Sequence, residues 1–79
     1  MMKKVIVYST PTCPYCVIVK EFLKSSHVEF EAKDVSSDDA AREEMIKKTG
    51  QLGVPVIDIE GEIVIGFNEE RIKELLGID

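Results

Sequence analysis

Cys13 and Cys16 are the two thiols of this chain, and they sit in the stretch Tyr8-Ser9-Thr10-Pro11-Thr12-Cys13-Pro14-Tyr15-Cys16-Val17-Ile18-Val19. Three chemistries are open to such a pair. A structural disulfide that closes so short a loop lies near the bottom of the stabilisation range of the chain-entropy model, and a reducing compartment would attack it. A tetrahedral zinc or iron site takes four ligands. His27 is the single histidine, and it falls at the far end of the helix that starts at Cys13, roughly 15 to 20 Å away at ~1.5 Å per residue. It cannot share a site with the thiols and reads as a solvated residue in a helix-to-strand turn. Metal or cluster carriage would therefore need a second copy or external thiols. The third chemistry is redox. If Cys13 caps a helix, its sulfur faces the unpaired N–H groups of the first turn and the positive end of the dipole, which favours the nucleophilic thiolate. Pro14 suits the first helical position, where its missing N–H leaves no orphan. Cys16, one turn in, is placed to attack a mixed disulfide formed at Cys13. Cys-x-x-Cys between a strand and a helix is a redox signal.

The elements that must position these thiols follow from periodicity. Val5 to Tyr8 is a solidly apolar run, as in a strand buried on both faces. From Pro14 to about Ser26, Cys16, Val19, Phe22 and Leu23 recur at helical spacing between Lys20, Glu21 and Lys24. Val28, Phe30 and Ala32 alternate with Glu29, Glu31 and Lys33, which predicts a half-exposed strand near a sheet edge. Ser36 to Asp39 reads as a helix start, with Ala41, Met45 and Ile46 following and Gly50 as the stop. Val54–Ile59 and Glu62–Phe67 read as a hairpin turning at Glu60-Gly61. Asn68 caps a last helix with Glu69 and Glu70 in its first turn, Ile72, Leu75 and Leu76 as its apolar stripe, and Gly77 at its end. The order βαβαββα makes the first two strands parallel and the last two antiparallel. It gives an α/β fold, a four-stranded mixed sheet with helices on both faces.

Seventy-nine residues, 44% hydrophobic and 32% charged, fit one globular domain spanning 1–79. A net charge of -5 argues against nucleic-acid or anionic-membrane partners. No apolar run is long enough to span a bilayer, and the first residues lack an export-type segment. The expectation is a cytoplasmic monomer.

Cys13-Pro14-Tyr15-Cys16 resembles the dithiol motif of the glutaredoxins, and the element order is that of the thioredoxin fold in its minimal glutaredoxin form. Gly50-Gln51-Leu52-Gly53-Val54-Pro55 is similar to the segment that leads into that family's cis-proline. Gly66-Phe67-Asn68-Glu69 resembles its glycine-rich turn before the last helix. The resemblance implies a thiol–disulfide oxidoreductase acting on protein disulfides or glutathione mixed disulfides. Cys13 attacks and Cys16 resolves, no prosthetic group or metal is held, and glutathione serves as reducing co-substrate. It further implies a cis Val54–Pro55 bond facing the cysteines, with the Val54 backbone pairing with a bound cysteinyl group. Tyr15 would wall the substrate groove, Gln51 would meet a substrate carboxylate or stay solvated, and Asn68 with the last helix's first N–H groups would offer a second carboxylate site. Thr10 stands where many glutaredoxins have a lysine, Gly53 where a threonine is common, and Phe67 where a second glycine follows the Gly66 position. These departures point toward family members that behave like small thioredoxins, served by a flavoprotein disulfide reductase and feeding an acceptor such as ribonucleotide reductase. Val64, Ile65 and Phe67 could then face a protein partner, although the first two are expected in the core.

Overall fold

The computed structural model describes residues 4–51 and 53–77. Leu52, inside one of the matched segments, lies outside the described residues, as do both ends of the 1–79 domain. Seven elements follow one another: β1 (Val5–Ser9), α1 (Pro14–Ser25), β2 (Glu31–Asp34), α2 (Asp39–Thr49), β3 (Val56–Ile59), β4 (Glu62–Ile65) and α3 (Glu69–Leu76). The sheet order is β2-β1-β3-β4. β1 and β2 run parallel, and β3 lies antiparallel to both β1 and β4.

The solid apolar run of β1 has a simple cause. Val5 and Val7 enter one core with Val19 and Leu23 of α1, Ile57 and Ile59 of β3, Val64 of β4 and Ile72 of α3. Ile6 and Tyr8 enter a second core with Val35, Val56 and α2's Ala41 and Met45. Side chains alternate across a strand, so a strand covered by helices on both faces needs apolar residues at every position. All five residues of β1 and all four of β3 are buried.

Three boundaries differ from the sequence expectation. β2 begins at Glu31 rather than Val28. His27 takes φ 59, its N–H donates to the Lys24 carbonyl, and the Val28 N–H donates to the Leu23 carbonyl at 2.9 Å. This is a Schellman stop. It ties Val28 to the helix end, so Val28 and Phe30 pack on the first core as connector rather than ladder. β3 begins after Pro55, which has no N–H to give a ladder. β4 ends at Ile65 because Gly66, at φ 78, turns the chain away. The hairpin turns at Glu60 and Gly61, both at positive φ (53 and 90), as a type I′ turn requires.

Candidate functional site: the start of α1 and the chain segments beside it

Cys13 is the N-cap of α1, with φ -94 and ψ 109. Its Sγ accepts the Cys16 N–H at 3.1 Å, and its own N–H donates to the Thr10 carbonyl at 3.3 Å. The sulfur thus occupies the place of the side-chain oxygen in an ordinary helix cap. Cys13 and Cys16 form a disulfide with Cα atoms 5.2 Å apart, inside the usual range. Cys16 is wholly buried and Cys13 half-buried. A thiolate released at Cys13 would sit against the first-turn N–H groups, and only that sulfur is open to an incoming molecule.

The strand register collects the other segments around this end. Tyr8 pairs with Val56, and Val56 pairs with Ile65. The chain therefore leaves β1 toward Thr10 and Cys13, enters β3 through Val54 and Pro55, and leaves β4 toward Gly66, Phe67 and Asn68, all at one end of the sheet. The Val54–Pro55 bond is cis. Pro55 is buried, Val54 half-buried, and the Pro55 carbonyl accepts the Gly66 N–H at 2.8 Å. Phe67 meets Phe22 of α1 edge-on, with ring centroids 5.7 Å apart. Gln51 is exposed, and its amide lies over Gly53: a Cβ on Gly53 would meet Gln51 Nε2 at 3.5 Å, an ordinary contact. Thr10 is half-buried. Tyr15 stands 61% exposed beside the disulfide. The Asn68 side chain accepts the Arg71 N–H at 3.1 Å, so it is engaged as a cap.

Val64 enters the core as expected, but Ile65 does not: it is 53% exposed. It points to the α2 side of the sheet, and α2 packs over β1 and β2 rather than β4. Val17 and Ile18 were not singled out by sequence reasoning, yet they are large exposed apolar side chains next to Cys16. The signal was present, since α1 is apolar on more positions than its buried stripe uses.

The charge pattern around the disulfide is one-sided. No charged residue occurs from Val5 through Val19. At the neighbouring start of α3, Glu69 and Glu70 fill the first turn, where they offset the helix dipole that a bound carboxylate would use. Among the described residues, no group of three or more His, Cys, Asp or Glu could hold a metal, and no helix is long and apolar enough to cross a membrane.

A second polar cluster, also missed from sequence, lies on the α2 face. Buried Tyr8 donates to Glu44 and accepts from Lys48 Nζ at 2.8 Å. Lys48 also pairs with buried Asp58, whose other oxygen accepts the Gly61 N–H at 2.8 Å. Lys33 reaches Glu44 at 3.3 Å. The Tyr8 hydroxyl, with help from Lys33 and Lys48, draws the Glu44 carboxyl down to about 2 against its burial. Burial, then the Glu44 carboxylate, push the Tyr8 hydroxyl above its ordinary value. Burial works against the Lys48 ammonium, but Asp58 and Tyr8 raise it above the ordinary lysine value. A cleft of about 470 Å³ here, lined by Lys4, Lys33, Glu44, Lys48, Asp58 and Glu60 among others, lies beside the hairpin turn, at the opposite end of the sheet from the disulfide. The cluster clamps α2 to β1 and β3.

A four-stranded β2-β1-β3-β4 sheet with a Cys-x-x-Cys pair at the start of α1 defines a thiol-oxidoreductase fold of the thioredoxin superfamily. The family model described as Glutaredoxin matches residues 5–64. The chain is 49% identical over 70 residues to an uncharacterized glutaredoxin-like 8.6 kDa protein in the rubredoxin operon of Clostridium pasteurianum, covering 89% of this chain and 93% of that one. It is 38% identical over 68 residues to glutaredoxin 3 of Escherichia coli, covering 86% and 82%. A crystal structure of a thioredoxin-like protein superposes with a TM-score of 0.91 at 46% identity, covering 99% of this chain and all of the other. The chain belongs to the glutaredoxin family.

Proposed function

We propose that this chain reduces disulfides of protein substrates through a Cys13–Cys16 dithiol cycle, as a cytoplasmic monomer without a prosthetic group. The reduced Cys13 thiolate attacks one sulfur of the substrate disulfide. A Cys13–substrate bond forms, the substrate S–S bond breaks, and the first substrate thiolate leaves. The Cys16 thiolate then attacks Cys13 Sγ, forming the Cys13–Cys16 disulfide and expelling the second substrate thiolate. The substrate gains two electrons, and the departing thiolates take up protons from water. The observation that carries this reading is the asymmetry of the helix start: Cys13 Sγ accepts the Cys16 N–H from a half-open position while Cys16 is wholly buried. Alkylation of the reduced protein at neutral pH, mapped by mass spectrometry, tests it. Cys13 labels first, and Cys16→Ser traps mixed disulfides on Cys13. Faster labelling of Cys16 would reverse the assignment.

The electrons return either from two glutathione molecules or from a flavoprotein disulfide reductase. The uncharged surround of Cys13 and the acids at the start of α3 favour the reductase, because glutathione carries two carboxylates and finds no fixed cation in the Thr10 loop. Turnover with NADPH and thioredoxin reductase should exceed turnover with glutathione, glutathione reductase and NADPH. The opposite ranking would favour glutathione as the reductant.

A further inference from the structure

We infer that the free edge of β4 is a docking strand for a basic, extended segment of a protein partner. Two hydrogen bonds fix the direction of every backbone group in the hairpin. The Glu60 N–H donates to the Lys4 carbonyl at 3.0 Å, and the Gly66 N–H donates to the Pro55 carbonyl at 2.8 Å. Antiparallel pairing alternates between bonded and non-bonded positions. With Val56 opposite Ile65 and Ile59 opposite Glu62, residues 62, 64 and 66 therefore turn their N–H and C=O toward β3. Ile63 and Ile65 turn theirs outward, on the open edge of the sheet.

The two edges of this sheet are treated differently. β2 is guarded by charge, with Glu31, Lys33 and Asp34 among its four residues. From Ile63 to Ile65, β4 has no proline, lysine or other charge. Its outward-bonding residues also present apolar side chains on the α2 face, where Ile65 is 53% exposed. The position thus offers both halves of strand addition, backbone groups for affinity and an alternate apolar side chain for fit.

Charge selects the occupant. Between Pro55 and Glu70 the chain has Asp58, Glu60, Glu62, Glu69 and Glu70 and no lysine or arginine. Asp58 is neutralised by Lys48 and Glu69 by Lys73. Among the described residues, no ion pair covers Glu62, Glu70 or Glu60, and the Glu60 carboxylate keeps its charge while accepting the Lys4 backbone N–H at 3.0 Å. A second copy of this chain would bring the same acids against themselves, each copy carrying a net charge of -5. A segment that alternates lysine or arginine with β-branched residues answers both the charge and the apolar contact. The strand also points at the thiols. β4 leads into Gly66, bonded to Pro55, so a segment seated at Ile63 lies about 10 Å along the strand from that end. That this partner is the disulfide-bearing substrate rests on the function proposed above; the docking itself does not.

The test separates the two. A cysteine-free peptide alternating lysine with valine, its glutamate–valine counterpart and a scrambled lysine peptide are added to the isotopically labelled, oxidised protein. The alternating lysine peptide should slow amide exchange at Ile63 and Ile65, and raising salt to molar concentration should remove the effect. Ile65→Pro deletes the outward donor, and Ile65→Lys repels the peptide while keeping the backbone; either should weaken binding about tenfold. Protection elsewhere, equal protection by all three peptides, binding unchanged in both variants, or a dimer of the free protein through this edge would overturn the proposal. In a second arm, the lysine and glutamate peptides each carry a disulfide. Their reduction by the wild type and Ile65→Lys is normalised to that of a small aromatic disulfide. A wild-type preference for the lysine peptide that disappears in Ile65→Lys identifies the occupant as substrate. Equal rates on the two peptides would overturn that identification. Failure to reduce any disulfide would overturn the proposed function instead, and leaves the docking strand to be decided by the exchange data.

Discussion

Removing the Lys48 ammonium should be among the most damaging single changes outside the dithiol. Asp58 is 7% exposed, and its charged partner is Lys48, whose side chain is 28% exposed. Lys48→Met keeps the aliphatic stem but leaves a buried carboxylate with the Gly61 N–H as its remaining donor. It also removes a donor from Tyr8. A lost hydrogen bond to a charged group costs about 1.5 to 3 kcal/mol, and breaking a fully buried pair about 3 to 5. Because Lys48 is partly solvated, we expect about 2 to 3 kcal/mol. A domain of this size has only about 4 to 12 kcal/mol of stability, so Tm should fall by about 10 to 20 °C. Urea unfolding followed by circular dichroism measures this, with exposed Lys47→Met as a control within about 0.5 kcal/mol of the wild type. The pair Lys48→Met with Asp58→Val removes both charges from a β-strand site where valine fits. It should recover at least half of the loss, giving a coupling energy above about 1 kcal/mol. A single mutant that loses under about 0.5 kcal/mol, or a double mutant that loses the sum of the singles, would refute the clamp.

The same cluster sets an acid limit. The Glu44 carboxyl is held down to about 2, against about 4.3 in an unfolded chain, so its contribution is full above that unfolded value and lost as pH falls toward 2. Urea midpoints should decline from about pH 5 downward, and Glu44→Gln should flatten the decline; an unchanged slope in the mutant would sink the assignment. His27 holds φ 59 at the end of α1, a conformation that strains an L side chain by about 1 to 2 kcal/mol. After the entropic penalty of glycine, His27→Gly should gain about 0.5 kcal/mol and raise Tm by a few degrees in calorimetry. Thr10→Lys would put a cation beside Cys13, and one charge-assisted hydrogen bond of about 1.5 to 3 kcal/mol should lower the half-saturating glutathione concentration about ten- to a hundredfold. Unchanged half-saturation would show that charge is not what limits glutathione.

What was legible in the chain divides along physical lines. The helices announced themselves through caps and spacing, because these are local: Cys13 before Pro14, Asp38 before α2, Asn68 before α3 and Gly77 after it each satisfy orphan backbone groups within one turn. The start of β2 was not legible. Val28 and Phe30 alternate as a strand would, and the bond that holds Val28 to Leu23 depends on His27 adopting a conformation its type rarely takes. The clamp was hidden for another reason. Tyr8 meets Glu44 and Lys48 across thirty-six and forty residues, a separation no periodicity reveals. Its one sequence sign is Asp58, a lone acid within the buried run Val56–Ile59; a buried carboxylate must have a partner somewhere. At the dithiol, the motif located both cysteines and an exposed Tyr15, but the exposure of Val17 and Ile18 and the outward turn of Ile65 depend on which faces the neighbouring elements leave uncovered.

The two polar features of this small domain divide its electrostatics. Among the described residues the one buried charged side chain, Asp58, lies on the α2 face, where Lys48 and Lys33 together balance it and half-buried Glu44. The thiol end, from Val5 through Val19, has no ionised side chain in sequence. Under the function proposed above, a Cys13 thiolate would then be stabilised by dipoles, the N–H groups at the start of α1, which sit in place and do not reorganise. A lysine near the sulfur would strengthen that effect, but it would also draw in every small anion. A site built from backbone dipoles and apolar side chains favours the thiolate with little attraction for free carboxylates. It leaves selection to contacts at a distance from the sulfur, along Tyr15, Val17 and Ile18 on one side and the acid-flanked edge of β4 on the other. On this reasoning, partner choice and thiol reactivity can be altered separately: changes at Ile65 move the first, and changes at the cap of α1 move the second.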